Sequence, residues 1–367
     1  MSRGDCLPYH VPMPNAARPD RPATIADVAR LAGVSVPTVS RVLTGSARVS
    51  DERRHRVTTA IAQLGYRPSA AAQVLASRRS TTIAIVAANT SRYGYAEAIR
   101  GVEESARAAG YSVIIIVVAT EHEADVHAAA DAVLRQSVAG AVVLKFDPPG
   151  VAALRALNSA LPTVALAGVP EFDVPQAVLD ETEAAAALTE HLLNLGHRTV
   201  HHVRIPPSGK EDGRTTGWRL ALQRHRLPIP PIRDVTWDVS TAYAIGRDIA
   251  TDRDVTAVLC GNDETAMGLI RGIHDSGRRV PDDVSVVGFD DHPLASMFIP
   301  AITTARQDFA ELGRHGTAQL LALLRGEAPL ALETVEPPLV FRESTSAPRA
   351  TLAAHAAEPT DRLTDRS

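Results

Sequence analysis

Residues 24–45, TIADVARLAGVSVPTVSRVLTG, constrain the chain more than any other stretch, because every local signal in them agrees on two short helices and a tight turn. Ile25, Val28, Ala29 and Ala32 recur at helical spacing and make one apolar face. Asp27 falls in the first turn, where the helix dipole favours a carboxylate. Gly33 stands where the first helix must stop and the backbone reverse. Ser35 is placed to cap the second helix, and Pro37 is tolerated in a first turn that has no intrahelical donor to lose. That second helix presents Ser35, Val36, Pro37, Thr38, Ser40 and Arg41 on or near one exposed rim, and leaves Val39, Val42 and Leu43 to pack. A third helix comes next, capped by Ser50, loaded with Asp51 and Glu52, striped by Val57, Ile61 and Leu64, ended by Gly65 and blocked by Pro68. Three helices in this order are the plan of a helix-turn-helix unit, whose second helix enters the major groove of DNA.

Charge supports that reading. Residues 22–80 carry nine arginines (30, 41, 48, 53, 54, 56, 67, 78 and 79) against Asp27, Asp51 and Glu52, a net of +6. The whole chain is −4, so the remainder carries −10. One end of the molecule is built to meet phosphate and the other is not.

At 367 residues there is room for two or three domains. Hydrophobic residues make up 45% of the chain and aromatics only 4%, so its cores are built mainly from Ala, Val, Leu and Ile. The two cysteines, Cys6 and Cys260, give neither a disulfide framework nor metal spacing. No apolar run approaches the ~20 residues of a membrane span. Residues 1–22, with five prolines and no hydrophobic signal segment, read as a disordered extension, and residues 345–367 read the same way.

Between residues 82 and 342 apolar β-type runs alternate with amphipathic helical segments. The runs are 82–88, 111–118, 140–146, 162–167, 199–205, 255–260 and 284–289. This is the signature of parallel sheets covered on both faces, and the strands outnumber one ordinary doubly wound sheet, so two α/β lobes with a cleft are expected. Ligands bind such sheets beyond the carboxyl ends of the strands. Asn89–Tyr95, which contains Tyr93, comes after the first strand; Asn262 and Asp263 come after 255–260; Asp290 and Asp291 come after 284–289. Arg214 opens a helix after the loop PPSGKEDG, and Trp237 ends a short strand. Together they offer carboxylates, amides, a guanidinium and a stacking ring, which suit a sugar or another polyhydroxylated ligand. Arg214 and Asp290 are expected to hold opposite parts of that ligand. Asn262 and Asp263 are also placed to cap the next helix.

Residues 24–80 resemble the DNA-binding headpiece of the LacI/GalR family of bacterial repressors. The resemblance rests on T-I-x-D-V-A-x-x-A-G-V-S-x-x-T-V-S-R-V-L, on Val49–Ser50 and on L-G-Y-x-P at 64–68. It departs at Thr44 and Ser69, where the family has asparagine. It continues more weakly through L-G-H-R at 195–198, Gly217–Trp218, Asn262–Asp263 and V-S-V-V-G-F-D-D at 284–291. The resemblance implies an N-terminal all-α helix-turn-helix headpiece (23–68), a hinge helix (69–80) and a two-lobed periplasmic-binding-protein-like α/β core (81–344). It implies DNA contacts from Thr24, Ser35, Val36, Pro37, Thr38, Ser40 and Arg41. From the hinge, Ala72 and Leu75 would add minor-groove contacts, with Leu75 wedging between central base pairs. It places Arg214, Trp237, Asn262 and Asp290 on effector-contacting positions. One departure bears on the effector: Ala167 and Gly168 occupy a loop where many sugar-responsive members carry a carboxylate.

The resulting expectation is a cytoplasmic, sequence-specific transcription regulator, a repressor, that binds a near-palindromic double-stranded operator as a homodimer and answers a small carbohydrate. It is not an enzyme, and no cofactor, metal or membrane is expected. The rival readings are a hydrolase or sugar kinase on the same α/β core, which leaves the headpiece unexplained, and a periplasmic binding protein, which lacks its signal sequence. No G-x-G-x-x-G, G-x-x-x-x-G-K-[ST] or G-x-S-x-G occurs.

Overall fold

The computed structural model describes residues 23–45, 49–66, 80–170, 174–209, 212–328, 334–335 and 337–349. Its internal contacts divide the chain into two units, one ending at Ser80 and one beginning at Thr81. The N-terminal extension and the hinge residues Ala72 and Leu75 lie outside the described residues.

The first unit is three helices, α1 (Ile25–Ala32), α2 (Val36–Thr44) and α3 (Asp51–Leu64). Thr24 and Asp27 form a reciprocal cap: the Thr24 backbone N–H donates to Asp27 Oδ2 at 3.0 Å, and the Asp27 backbone N–H donates to Thr24 Oγ1 at 3.4 Å. Gly33, at φ +63°, turns the chain into α2. Val28, Val39 and Val57, one from each helix, are fully buried and centre the core, with Ala29, Ala32, Ala60 and Tyr66 around them. Four local expectations change. Leu43 is 37% exposed rather than packed. The Ser35 hydroxyl bonds the Thr38 hydroxyl at 2.9 Å instead of capping a backbone N–H. The Ser50 hydroxyl stands at the start of α3 but makes no capping bond. Tyr66, just beyond that helix, closes the core.

The second unit has two parallel sheets. The first lobe's sheet holds β1 (Thr82–Ala87), β2 (Ser112–Val117), β3 (Gly140–Lys145), β4 (Thr163–Ala167), β5 (Gln176–Leu179) and β11 (Thr334–Val335). All are parallel, in the order β11-β5-β4-β3-β1-β2. Alternation along the strands sends Ile83, Ile85, Val142 and Leu144 to one face, against α4 (Tyr93–Ala108) and α11 (Phe309–Leu324). Ala84, Val86, Ala141 and Val143 go to the other, against α5 (Glu123–Arg135) and α6 (Pro148–Leu157).

The second lobe's sheet runs β7-β6-β8-β9, formed by β6 (His201–Arg204), β7 (Arg233–Asp234), β8 (Ala257–Cys260) and β9 (Ser285–Val287). Leu259 and Val287 pack with Trp218, Leu188 and Leu222 of α7 (Glu181–Asn194) and α8 (Gly213–Arg224). Val258 and Cys260 pack with Leu269 and Ile273 of α10 (Asp263–Asp275), and with Ala242 and Ile249 of α9 (Val239–Ile249). An antiparallel pair, β10 (Thr304–Ala305) with β12 (Leu339–Val340), completes this lobe.

The chain crosses between lobes at three places: from β5 into α7, from β10 into α11, and from β11 into β12. The second lobe also runs past residue 344, where the tail was expected to begin. The Ser346 backbone N–H donates to Ser285 Oγ at 3.0 Å, its carbonyl lies 3.0 Å from His197 Nε2, and Arg349 pairs with Asp283 at 3.1 Å.

Candidate functional site

On the headpiece, Val36 is 41% exposed, and Pro37 and Arg41 are exposed on the same helix. Thr38 and Ser40 are half-buried, so the rim expected from sequence is narrower than six residues. Arg53, Arg54 and Arg56 are exposed along α3, and Arg30 pairs with Asp27 at 3.1 Å. Thr24 is committed to its cap. The rim thus offers two apolar side chains and a guanidinium, the groups that touch thymine methyls and guanine edges in a major groove.

The second unit contains a cleft with about 710 Å³ of free space, mouth included. It gathers Tyr93, Arg214, Trp237, Asn262 and Asp290 from the candidates read in the sequence, whereas Asp263 and Asp291, the other strand-end carboxylates, are not among its lining residues. Each arrives from the carboxyl end of a strand or the first turn of the next helix. Tyr93 opens α4 and meets His292 edge-on, with ring centroids 4.8 Å apart. Trp237 lies in the loop after β7 rather than on the strand, and the Arg92 guanidinium stacks 4.1 Å from its ring centroid. Asn262 caps α10, accepting from the Thr265 N–H at 2.9 Å, so the capping and cleft-lining roles coincide.

Arg214 and Asp290 do not face each other across the cleft. They are partners, Arg214 Nη2 to Asp290 Oδ1 at 3.3 Å, on one wall. The same Nη2 reaches Glu181 Oε1 at 3.0 Å, Nη1 donates to the Gly261 carbonyl, and the guanidinium lies over the Phe289 ring. Gln307, on the crossing into α11, donates to Asp290 Oδ1 at 2.9 Å. The wall is therefore tied to two of the three crossings, Glu181 just after the first and Gln307 on the second.

Backbone strain marks the same place. Asp290 and Asp291 both have left-handed φ, +104° and +57°, rare for residues with a Cβ. They are held there by Asp290 N–H to Ala305 O at 2.8 Å, and by Arg342 and Arg306 on the Asp291 carboxylate at 2.6 and 2.7 Å. Burial pushes the Asp290 carboxyl up to about 7, against the pull of Arg214 and with the push of Glu181. Burial, with Asp290 adding to it, likewise holds Asp263 well above the usual carboxylate range. The Tyr93 hydroxyl is raised to about 12 by burial and then by Glu97 and Asp290. Beneath the wall, burial lowers His202 to about 4, so the ring is neutral between the Leu259 carbonyl and the Thr215 hydroxyl.

Glu181 and Asp212 line the cleft and were not singled out from sequence. Glu181 sits in the acidic opening of a helix, D-E-T-E, where carboxylates are ordinary, and Asp212 reads as a cap, which it is: Oδ1 accepts from Thr215 N–H at 2.7 Å. Ala167 is the last residue of β4 rather than a loop residue. A Cβ placed on Gly168 would lie 2.6 Å from the Glu181 carboxylate, so Glu181 fills the space beside a glycine that leaves room for it. Among the described residues no group of three or more His, Cys, Asp or Glu could hold a metal, and no helix is long and apolar enough to cross a membrane.

Residues 24–69 match the family described as bacterial regulatory proteins, lacI family, and residues 189–345 match a periplasmic binding protein-like domain. The lactose operon repressor of Escherichia coli K12 is 31% identical over 89% of this chain and 92% of its own length. Catabolite control protein A of Priestia megaterium is 30% identical over 88% and 99%. Among solved structures, a lac repressor dimer bound to operator and the anti-inducer ONPF superposes with a TM-score of 0.81 at 30% identity, covering 89% of this chain and all of that one. A complex of the transcriptional regulator CelR with cellobiose gives 0.65 at 27% identity, over 88% and 99%. With a basic three-helix unit ahead of a two-lobed core, and with relatives matched along nearly their whole length, the chain belongs to the LacI family of bacterial transcriptional regulators.

Proposed function

We propose that the chain is a cytoplasmic, ligand-controlled repressor that binds a near-palindromic operator as a homodimer, with a carbohydrate held in the cleft as the controlling ligand. The observation that carries this is the position of the Arg214–Asp290–Glu181 wall, which is fastened to segments that cross between lobes, so a ligand on it biases how the lobes close. Val36, Pro37 and Arg41 read bases. A single headpiece covers only a short half-site, so two are needed for useful specificity. Two apolar surfaces support self-association. One is the edge strand β2, where Ile115 and Val117 are 44% and 52% exposed; the other carries Met297 and Ile299, 76% and 89% exposed. The hinge reading for Ala72 and Leu75 rests on the sequence resemblance and on the relatives.

The test is a binding-site selection with the full-length protein, followed by titration of the selected duplex with and without sugars. A near-palindromic consensus, bound by two protomers and released or tightened by one sugar, is expected. Enrichment of no sequence, or binding by one protomer per site, overturns the proposal.

A further inference from the structure

The cleft's charges show which ligands it can accept. Among the described residues, four carboxyl groups line it, Glu181, Asp212, Glu264 and Asp290, against three cations, Arg92, Lys145 and Arg214. Each cation is engaged. Arg214 is shared between Glu181 and Asp290 at 3.0 and 3.3 Å. Arg92 is stacked on Trp237, with Nη1 4.0 Å from Asp147 Oδ2. Lys145, 3% exposed, donates to the Val169 carbonyl at 3.0 Å. A phosphate or carboxylate entering here finds every lining cation already engaged, and each guanidinium or ammonium it recruits must leave a partner in a place with little water to replace it.

One atom shows what the wall accepts instead. Asp212 is 9% exposed, and its Oδ1 is used in capping α8. Its Oδ2 is buried with no donor among the described residues, and so is Arg214 Nε, a donor with no acceptor. An enclosed carboxylate oxygen without a donor is costly, and since Asp212 and Arg214 both line the cleft, a ligand hydroxyl, which can donate to the one or accept from the other, answers such a need where an anion cannot donate to Asp212. The tendency of Asp290 to hold its proton, set by burial and reinforced by Glu181 and Glu264, shows that the same surroundings disfavour added negative charge.

We propose that the cleft selects uncharged, polyhydroxylated ligands over their phosphorylated or carboxylated forms, and that Asp212 sets this selection by accepting a ligand hydroxyl on Oδ2. This rests on the reading of the cleft as the effector site. The carboxylate that the 167–168 segment lacks is supplied from across the crossing by Glu181, which completes an acceptor-rich wall around Arg214.

The experiment is calorimetric titration and thermal shift of the full-length protein against matched sets. These are glucose with glucose 6-phosphate and glucuronate, ribose with ribose 5-phosphate, galactose with galactose 1-phosphate, and trehalose with trehalose 6-phosphate; cellobiose and lactose stand alone. At least one neutral sugar binds, and any anionic partner it has in the set binds at least a hundredfold more weakly. Asp212→Asn, which keeps the Oδ1 cap but turns Oδ2 into a donor, weakens the neutral sugar at least tenfold. Asp212→Ser, which also caps helices, does the same and guards against a folding defect in the first variant. An anionic member that outbinds its neutral partner, unchanged affinity in folded Asp212 variants, or no neutral binder in the panel overturns the proposal. Release of operator by a phosphorylated sugar overturns the selection and leaves the cleft as the effector site. Sugar binding that never alters operator affinity overturns the regulatory reading and leaves the selection standing.

Discussion

Two side chains concentrate what single residues do here. Arg41 is exposed on α2 beside Val36 and Pro37, with no core role to lose. Arg41→Ala therefore leaves the thermal transition of the core unchanged and costs about 1–3 kcal/mol of operator binding per half-site, erasing preference at one base position in a selection. Unchanged sequence preference would remove Arg41 from the reading set. Asp290 has the opposite character, a buried carboxyl raised from 3.8 to about 7. Its folded form holds a proton that its unfolded form has lost, so its contribution to stability is full below its unfolded value and disappears as pH rises through about 7. His202, lowered to about 4, works in the other direction over an overlapping range, so the wild-type profile mixes the two. The variant Asp290→Asn isolates the acid. Its stability relative to wild type climbs between pH 4 and 7, by up to about 1.4 kcal/mol per pH unit, as read by urea unfolding. A flat difference would mean that Asp290 titrates normally.

At the scale of elements, periodicity and punctuation made the long strands and the cleft residues legible. Strand-like runs at 82–88 and 140–146 contain β1 and β3 because fully buried parallel strands are near-continuous apolar runs. The five cleft residues could be read because ligand-facing groups in parallel sheets sit where strands end. What stayed hidden depends on partners distant in sequence. Nothing in D-E-T-E says that Glu181 will meet Arg214, 33 residues on. β10, β11 and β12 have two residues each, too few to show a period, and they carry two of the three crossings. The contact between α4 and α11 was equally invisible. A Cβ on Gly101 would lie 1.9 Å from the Ala310 carbonyl, and one on Gly313 would lie 2.4 Å from the Ala98 carbonyl. Backbone meets backbone, so neither helix can yield locally. Gly101→Ala should therefore lose at least about 2 kcal/mol from the core, at the upper end of overpacking costs, despite alanine's better helix propensity. A gain in the urea midpoint would show that the two helices pack less closely than backbone contact requires.

For the whole molecule the deciding property is the separation of charge between its ends. A chain of net −4 should avoid DNA, yet residues 22–80 carry +6 and the remainder −10. The positive end can sit in the counterion atmosphere of a duplex while the negative remainder discourages any other face from doing so. Binding to duplex of random sequence should then be governed by counterion release. The logarithm of the affinity falls linearly with the logarithm of salt concentration, with a slope of about −0.9 for each phosphate neutralised. The nine arginines of the headpiece and linker set the ceiling, about −8 per protomer. Arg53, Arg54 and Arg56, exposed along α3, are the natural candidates for phosphate contacts outside the reading helix. Each one that makes such a contact should, on substitution by alanine, flatten the slope by about 1 and weaken all sequences alike, whereas Arg41→Ala changes the ranking of sequences. If all three substitutions leave the slope where it was, phosphate is gripped elsewhere, and the charge on α3 serves only to keep that face solvated.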